Sequence, residues 1–261
     1  MAIDRTVEGN RDAWLMDVTR GSLVRFTFDP APDGFPVWSP DGSRIAFESQ
    51  RKGSWDIWLK ASSGVGMEEL LLGTANNEWP LGWSKDGRFL LYYQDGGAQT
   101  RADLWALPMT GADRKPVVIA NTPFSERDGE FSPDGRWVAY ETDESGRYEI
   151  VVQPFPNPTG KWQVSTDGGV KPRWRADSKE LYYLAPDSRL MAAAIAAQDV
   201  TLRAGTPVAL FPTRVATSGA SAVKHQYAVS RDGRFLVNQT TGQAAVVPIT
   251  LLLNWQPEAR K

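Results

Sequence analysis

The chain has 261 residues, with 29 basic against 31 acidic side chains and no cysteine. A charge balance this even offers no electrostatic footprint for nucleic-acid phosphates, and the lack of cysteine excludes disulfides, thiolate metal sites and cysteine nucleophiles. No run approaches the roughly 18 apolar residues of a membrane span, and the opening "MAIDRTVEGNRDAW" lacks the basic start and apolar stretch of a signal peptide, so the expectation is a soluble protein.

Eleven Trp, 23 Gly and 18 Pro favour many short strands joined by tight turns, since Gly and Pro break helices and aromatic side chains suit a pleated surface. In chain order, "NRDAWLMD" aligns with the later "SWDIWLK", which places Asp12 on Asp56 and Ile3 on Phe47. The first unit therefore reads as a blade without its innermost strand. A turn then recurs as "SPDGSR" (39–44), "SKDGRF" (84–89), "SPDGRW" (132–137), the degenerate "RADSKE" (175–180) and "SRDGRF" (230–235). Its aspartates, Asp41, Asp86, Asp134, Asp177 and Asp232, are spaced by 45, 48, 43 and 55 residues, the length of a propeller blade of about four strands.

Around each turn the pattern repeats. Three residues before the aspartate stand Trp38, Trp83, Phe131, Trp174 and Val229; four after it stand Ile45, Leu90, Val138, Leu181 and Leu236; six after it stand Phe47, Tyr92, Tyr140, Tyr183 and Asn238. Positions four and six share one face of a strand, as a sheet stacked on its neighbour requires, and the turn joins the first two strands of each blade. Third strands follow at "SWDIWLK", "RADLWALP", "RYEIVVQP", "DSRLMAAA" and "VVPITLLLNW". "RLMAAAIAAQ" has alanine helix propensity, but its place in the repeat predicts a strand. Outer strands are predicted at "EELLLG", "PVVIA", "KWQVST" and "PVALF". The expected fold is an all-β propeller of about six four-stranded blades, the first and last incomplete, in a single domain over residues 1–261. Its open seam is expected to close by pairing of residues 249–255 with the N-terminal segment, or through a homodimer, because the apolar "VVPITLLLNW" is ill suited to face water.

The turn and its flanks, "VWSPDGSRIAF" and "EFSPDGRWVAYETDESGRYEI", resemble the TolB-type propeller repeat, relatives of which form the propeller of prolyl-oligopeptidase enzymes. The tail from "YEIVVQPFPNPTGKWQVSTDGG" through "GRFLVNQTTGQAAVVPITLLLNW" is similar to the C-terminal propeller that follows the membrane span in bacterial serine/threonine kinases. What the resemblance implies is an extracytoplasmic sensor or interaction module, part of a longer propeller region, with a protein, peptide or small molecule as its ligand. Kinase activity and membrane anchoring do not carry over, since neither a kinase domain nor a membrane helix is present in the sequence.

No Gly-x-Ser-x-Gly elbow, phosphate loop or dinucleotide fingerprint occurs, and His225 is the sole histidine. One constellation emerges from the repeat. Eight residues before the shared aspartate, where each innermost strand begins at the expected channel mouth, stand Asp33, Glu78, Glu126, Gly169 and Lys224, with Asp128 and Glu130 close by. Asp33, Glu78, Glu126, Asp128 and His225 are the candidate ligands for a divalent cation, calcium or, with the histidine, zinc. Trp79, Arg127 and Lys171 are the candidate ligand-binding residues. The plainer reading makes the acids rim residues that turn the chain into its strand. Two functions follow: a binding or sensing module with no catalytic machinery, or a metal-dependent hydrolase of lactones, esters or phosphotriesters at the channel mouth.

Overall fold

The computed structural model describes residues 1–95, 101–111, 113–215, 226–238 and 250–251, and every regular element among them is a β-strand. Strands β1 (Ala2–Val7), β2 (Asn10–Met16) and β3 (Leu23–Arg25) form the first sheet. The second holds β4 (Asp33–Trp38), β5 (Arg44–Ser49), β6 (Asp56–Ala61) and β7 (Glu69–Leu72). The third holds β8 (Glu78–Trp83), β9 (Phe89–Asp95), β10 (Ala102–Pro108) and β11 (Val117–Ala120). The fourth holds β12 (Glu126–Phe131), β13 (Trp137–Thr142), β14 (Glu149–Pro154) and β15 (Trp162–Gln163). The fifth holds β16 (Val170–Trp174), β17 (Glu180–Leu184), β18 (Arg189–Gln198), β19 (Thr201–Ala204) and β20 (Val208–Pro212). The last is β21 (Tyr227–Val229), β22 (Phe235–Val237) and β23 (Thr250–Leu251). These are the blades of a β-propeller, and the residues gather into two compact units, 1–126 and 127–261.

The first sheet has three strands, and its register repeats that of the second: Ile3 faces Trp14 as Phe47 faces Trp58. β18 is a strand, and it is longer than the repeat asks for. Its first half pairs with β17 and β20, while Ile195 to Gln198 turn back on β19 in a hairpin. This hairpin, which the sequence reading missed, lies within the longest spacing between successive turns. Its Ile195 and Leu202 are buried beside Trp137 and Trp162 of the fourth sheet. β23 pairs with β22 through Leu236–Leu251 and Val237–Thr250; the rest of the expected seam segment, residues 249 and 252–255, lies outside the described residues.

Each repeated turn is built alike. In the second sheet the Ser39 hydroxyl donates to Asp41 Oδ1 at 2.6 Å and accepts the Arg44 amide at 2.9 Å, while the Ser39 carbonyl accepts the Gly42 amide at 2.9 Å. The same bonds recur at Ser84 and Ser132, while at Ser230 the hydroxyl donates to Asp232 and accepts the amide of Arg234, one residue nearer than in the other copies. The serine and aspartate thus satisfy backbone groups that a tight hairpin would leave bare. The final position needs a left-handed backbone, met by glycine three times near φ 71–72° and once at 80°, and by Ser178 at 61° in the degenerate copy.

Packing between sheets explains the four-and-six pattern. Within the first unit, Leu90 and Tyr92 of the third sheet share a buried cluster with Ala46 of the second. Within the second unit, Leu181 and Tyr183 of the fifth sheet lie against Ala139 of the fourth. In these two interfaces the alanine at position five of one blade shares a buried cluster with the large pair of the next, whereas Tyr182, at that position in the fifth sheet, packs with Phe235 and Val237 of the last. Both faces of β5 and β13 are consequently buried, where alternation alone suggests one. The aromatic position before the turn is less uniform: Trp174 is buried, while Trp38 remains 38% exposed.

Gly135 has φ 72° and open space where a Cβ would sit, so substitution there strains only the backbone. Gly135→Val is expected to lower stability by about 1 kcal/mol or more, and Gly135→Asn by less, because asparagine tolerates this region. Thermal unfolding of the two variants checks the order; a valine variant that melts with the wild type contradicts the turn assignment.

Candidate functional site

The predicted acids do begin their strands, but each is buried and held by neighbours of its own. Arg51 Nη2 lies 3.1 and 3.3 Å from the two carboxylate oxygens of Asp33. Burial nonetheless raises the Asp33 pKa, with Ser49 and Arg51 pulling against it. Glu78 accepts a hydrogen bond from the Thr74 hydroxyl on Oε1, and Glu126 accepts one from Thr122 in the same way. Asp56 and Asp95 face Glu78, and burial, reinforced by these charges, pushes its carboxyl up to about 7.

Asp128 sits in a second set of contacts. Lys171 Nζ lies 3.2 Å from Oδ2 and Arg173 Nη2 3.4 Å from Oδ1, with all three side chains buried. Asp128 and Lys171 both hold positive φ, 46° and 60°, so the pair is carried on backbone in the left-handed region. The Lys171 amide donates to Glu141 Oε1 at 2.7 Å, and Tyr227 donates its hydroxyl to the Lys171 carbonyl at 2.7 Å. Glu130 accepts the Trp174 amide at 2.6 Å; burial raises its carboxyl to about 7 against the pull of Arg173. Lys171, a candidate ligand contact, lies in the interior.

Among the described residues no group of three or more acidic or histidine side chains is placed to hold a metal ion, and His225 lies outside them. Each acid instead has contacts of its own: Arg51 on Asp33, the Thr74 hydroxyl on one oxygen of Glu78, the Thr122 hydroxyl on one oxygen of Glu126, and Lys171 with Arg173 on Asp128. A further row of buried acids went unnoticed at the starts of the third strands, Asp12, Asp56, Asp103 and Glu149. Its signal is in the sequence: an acid stands 15, 17 and 15 residues after the shared aspartate in three successive repeats.

What differs from blade to blade is one cross-strand pair, at the end of the sheet where the innermost strand begins. It spans fourteen residues each time: Gly34 with Glu48, Trp79 with Tyr93, Arg127 with Glu141, Val170 with Leu184. In the second sheet Gly34 leaves room for Arg11, whose Cζ would lie 2.9 Å from an added Cβ. Arg11 pairs with Glu48 there and lies 4.9 Å over the Trp55 ring. In the third sheet Trp79 and Tyr93 stack at 4.6 Å with planes 12° apart. In the fourth, Arg127 Nε donates to Glu141 Oε2 at 3.1 Å and its guanidinium covers Tyr148 at 3.9 Å. In the fifth, the pair is aliphatic.

No protein-family model matches the chain. A stretch of 102 residues is 31% identical to tricorn protease homolog 1 of Streptomyces coelicolor, covering 38% of this chain and 10% of that protein. The chain thus spans a tenth of the length of this relative. The crystal structure of TolB from Acinetobacter baumannii superposes with a TM-score of 0.68 at 18% identity, over 92% of this chain and 58% of that one. An oligogalacturonate lyase in complex with manganese gives 0.62 at 12% identity, over 91% and 70%. The fold is a TolB-like β-propeller. Likeness at such identities is one of fold, and a propeller hosts binding proteins and enzymes alike. No helix among the described residues is long and apolar enough to cross a membrane.

The raised carboxyls predict a pH dependence with a definite sign. Glu78 and Glu130 ordinarily titrate at 4.5 and do so near 7 when folded, so the unfolded chain loses these protons first as pH rises. Their contribution is full below the unfolded value and is lost as pH climbs through the folded one. The melting temperature is expected to fall by a few degrees between about pH 5 and pH 8, and Glu78→Gln to flatten part of that slope. An unchanged slope in the variant contradicts the assignment to Glu78.

Proposed function

We propose that the chain is a ligand- or protein-binding propeller module with no catalytic machinery of its own, acting outside the cytoplasm as its sequence resemblances suggest. The observation that carries this reading is the contrast between the repeated scaffold and the pair that changes. Serine-aspartate turns and inter-sheet packing recur because the fold demands them. A position that is an Arg-filled acid site in one blade, an aromatic stack in the next and an ion pair on a tyrosine in the third is not dictated by folding. Within the first unit, the Arg11-filled Glu48 site and the Trp79–Tyr93 stack give adjacent sheets unlike side chains that suit recognition of a partner, with the chemistry located elsewhere.

The test is a thermal-shift screen of peptides and small molecules, run beside assays on activated esters, lactones and phosphotriesters with and without calcium, zinc or chelator. Binding to the folded state raises the melting temperature by mass action. The expected outcome is stabilisation by a ligand and no turnover. Chelator-sensitive hydrolysis that is lost in Asp33→Ala and Glu78→Ala variants overturns the reading in favour of a metal-dependent hydrolase.

A further inference from the structure

We propose that Trp79, backed by Tyr93, is a stacking subsite for a proline or aromatic ring carried on an extended peptide segment; the proposal rests on the binding-module reading above and names the chemistry of its ligand. Trp79 is partly exposed, whereas Tyr93 is buried beneath it and fixes the plane of the indole. The Glu78 amide donates to the Trp55 carbonyl at 2.6 Å, which ties the stretch bearing Trp79 to the one bearing Trp55. Trp55 is also partly exposed, with the Arg11 guanidinium over its ring. Rings held in place before binding lose little conformational freedom on contact, the usual advantage of tryptophan and tyrosine in recognition surfaces.

The polar groups around the stack select the ligand. Asn77 is used at both ends, accepting the Trp55 amide at 3.0 Å and donating to Asp95 at 2.7 Å. Thr74 is committed to Glu78, and Arg11 to Glu48. A sugar ring, whose hydroxyls need several convergent donors and acceptors, finds these already engaged. An anionic sugar is further disfavoured by Asp56 and Asp95, which make no ion pair among the described residues. The Trp79 indole N–H makes no hydrogen bond among them either. A flat apolar face with one spare donor beside it suits a proline-rich segment, which presents pyrrolidine faces and unpaired carbonyls from a preformed extended helix.

The experiment uses the whole chain and a capped hexaproline peptide, followed through the indole N–H signals in two-dimensional NMR, with Trp79 assigned from Trp79→Phe. Saturable movement of the Trp79 signal is expected in the wild type; with the affinities of all variants read by calorimetric titration of the peptide, Trp79→Phe, which keeps a ring but loses the N–H donor, is to weaken binding less than Trp79→Leu, which weakens it about tenfold or more. Trigalacturonate should leave the signal in place. The subsite is overturned if hexaproline moves nothing at millimolar concentration, if trigalacturonate moves Trp79 equally, or if Trp79→Leu binds as the wild type does. Should Trp79→Leu fail to fold, Tyr93→Leu, which frees the indole plane, is to show the same loss of affinity. A different ligand that binds wild type and Trp79→Leu alike overturns the subsite and leaves the binding reading standing. Hydrolytic turnover alone overturns the binding reading.

Discussion

The structure depends on apolar packing between consecutive sheets, and in two interfaces a large pair four and six residues after the turn shares a buried cluster with an alanine five after the turn in the sheet before it. Leu90 and Tyr92 on Ala46, and Leu181 and Tyr183 on Ala139, are the two instances inside their respective units. Each such side chain, taken out of water, contributes about 1.5–3 kcal/mol, so one interface outweighs any single hydrogen bond in the turn that precedes it. The turn matters because it sets register: a slip of one residue would carry the large pair to the wrong face.

Because this contact and its turn account for the fold, the remaining variation can be read for function. The buried acids belong with the fold. Asp128, held between Lys171 and Arg173, and Asp33, held by Arg51, are interior charges with partners, and removing one partner would leave the other uncompensated. Glu78 follows another route, with a raised pKa that lets it carry a proton near neutrality. The fourteen-residue pairs belong with neither, and their chemistry changes while their geometry stays.

The blades were legible because turn and apolar pattern are local and repeat, so five imperfect copies of "S-x-D-G" support one another. Even the three-stranded first sheet followed from aligning Asp12 with Asp56. The β18–β19 hairpin was not legible, since a run of alanines says nothing about where a strand stops pairing with one neighbour and begins with another. The candidate site was less legible for a related reason. Repeat position put Asp33, Glu78 and Glu126 at equivalent places, but equivalence says nothing of convergence, and the Thr74 and Thr122 hydroxyls that occupy the glutamates stand four residues upstream in plain view. Trp79 was picked out because it departs from the repeated aromatic position, whereas its stacking partner Tyr93 needed the β8–β9 register.

The separation of scaffold from recognition pair is tested most directly by thermal unfolding of two variants side by side. Ala139→Leu overfills a contact on which the fold depends, while Trp79→Val with Tyr93→Leu replaces one blade's pair by the aliphatic kind found at Val170 and Leu184. The account predicts that the double variant unfolds cooperatively close to the wild type, within about 2 kcal/mol, and that the single alanine change costs more, up to about 3 kcal/mol. The reverse order, with Ala139→Leu tolerated and the double variant unfolded, would contradict it.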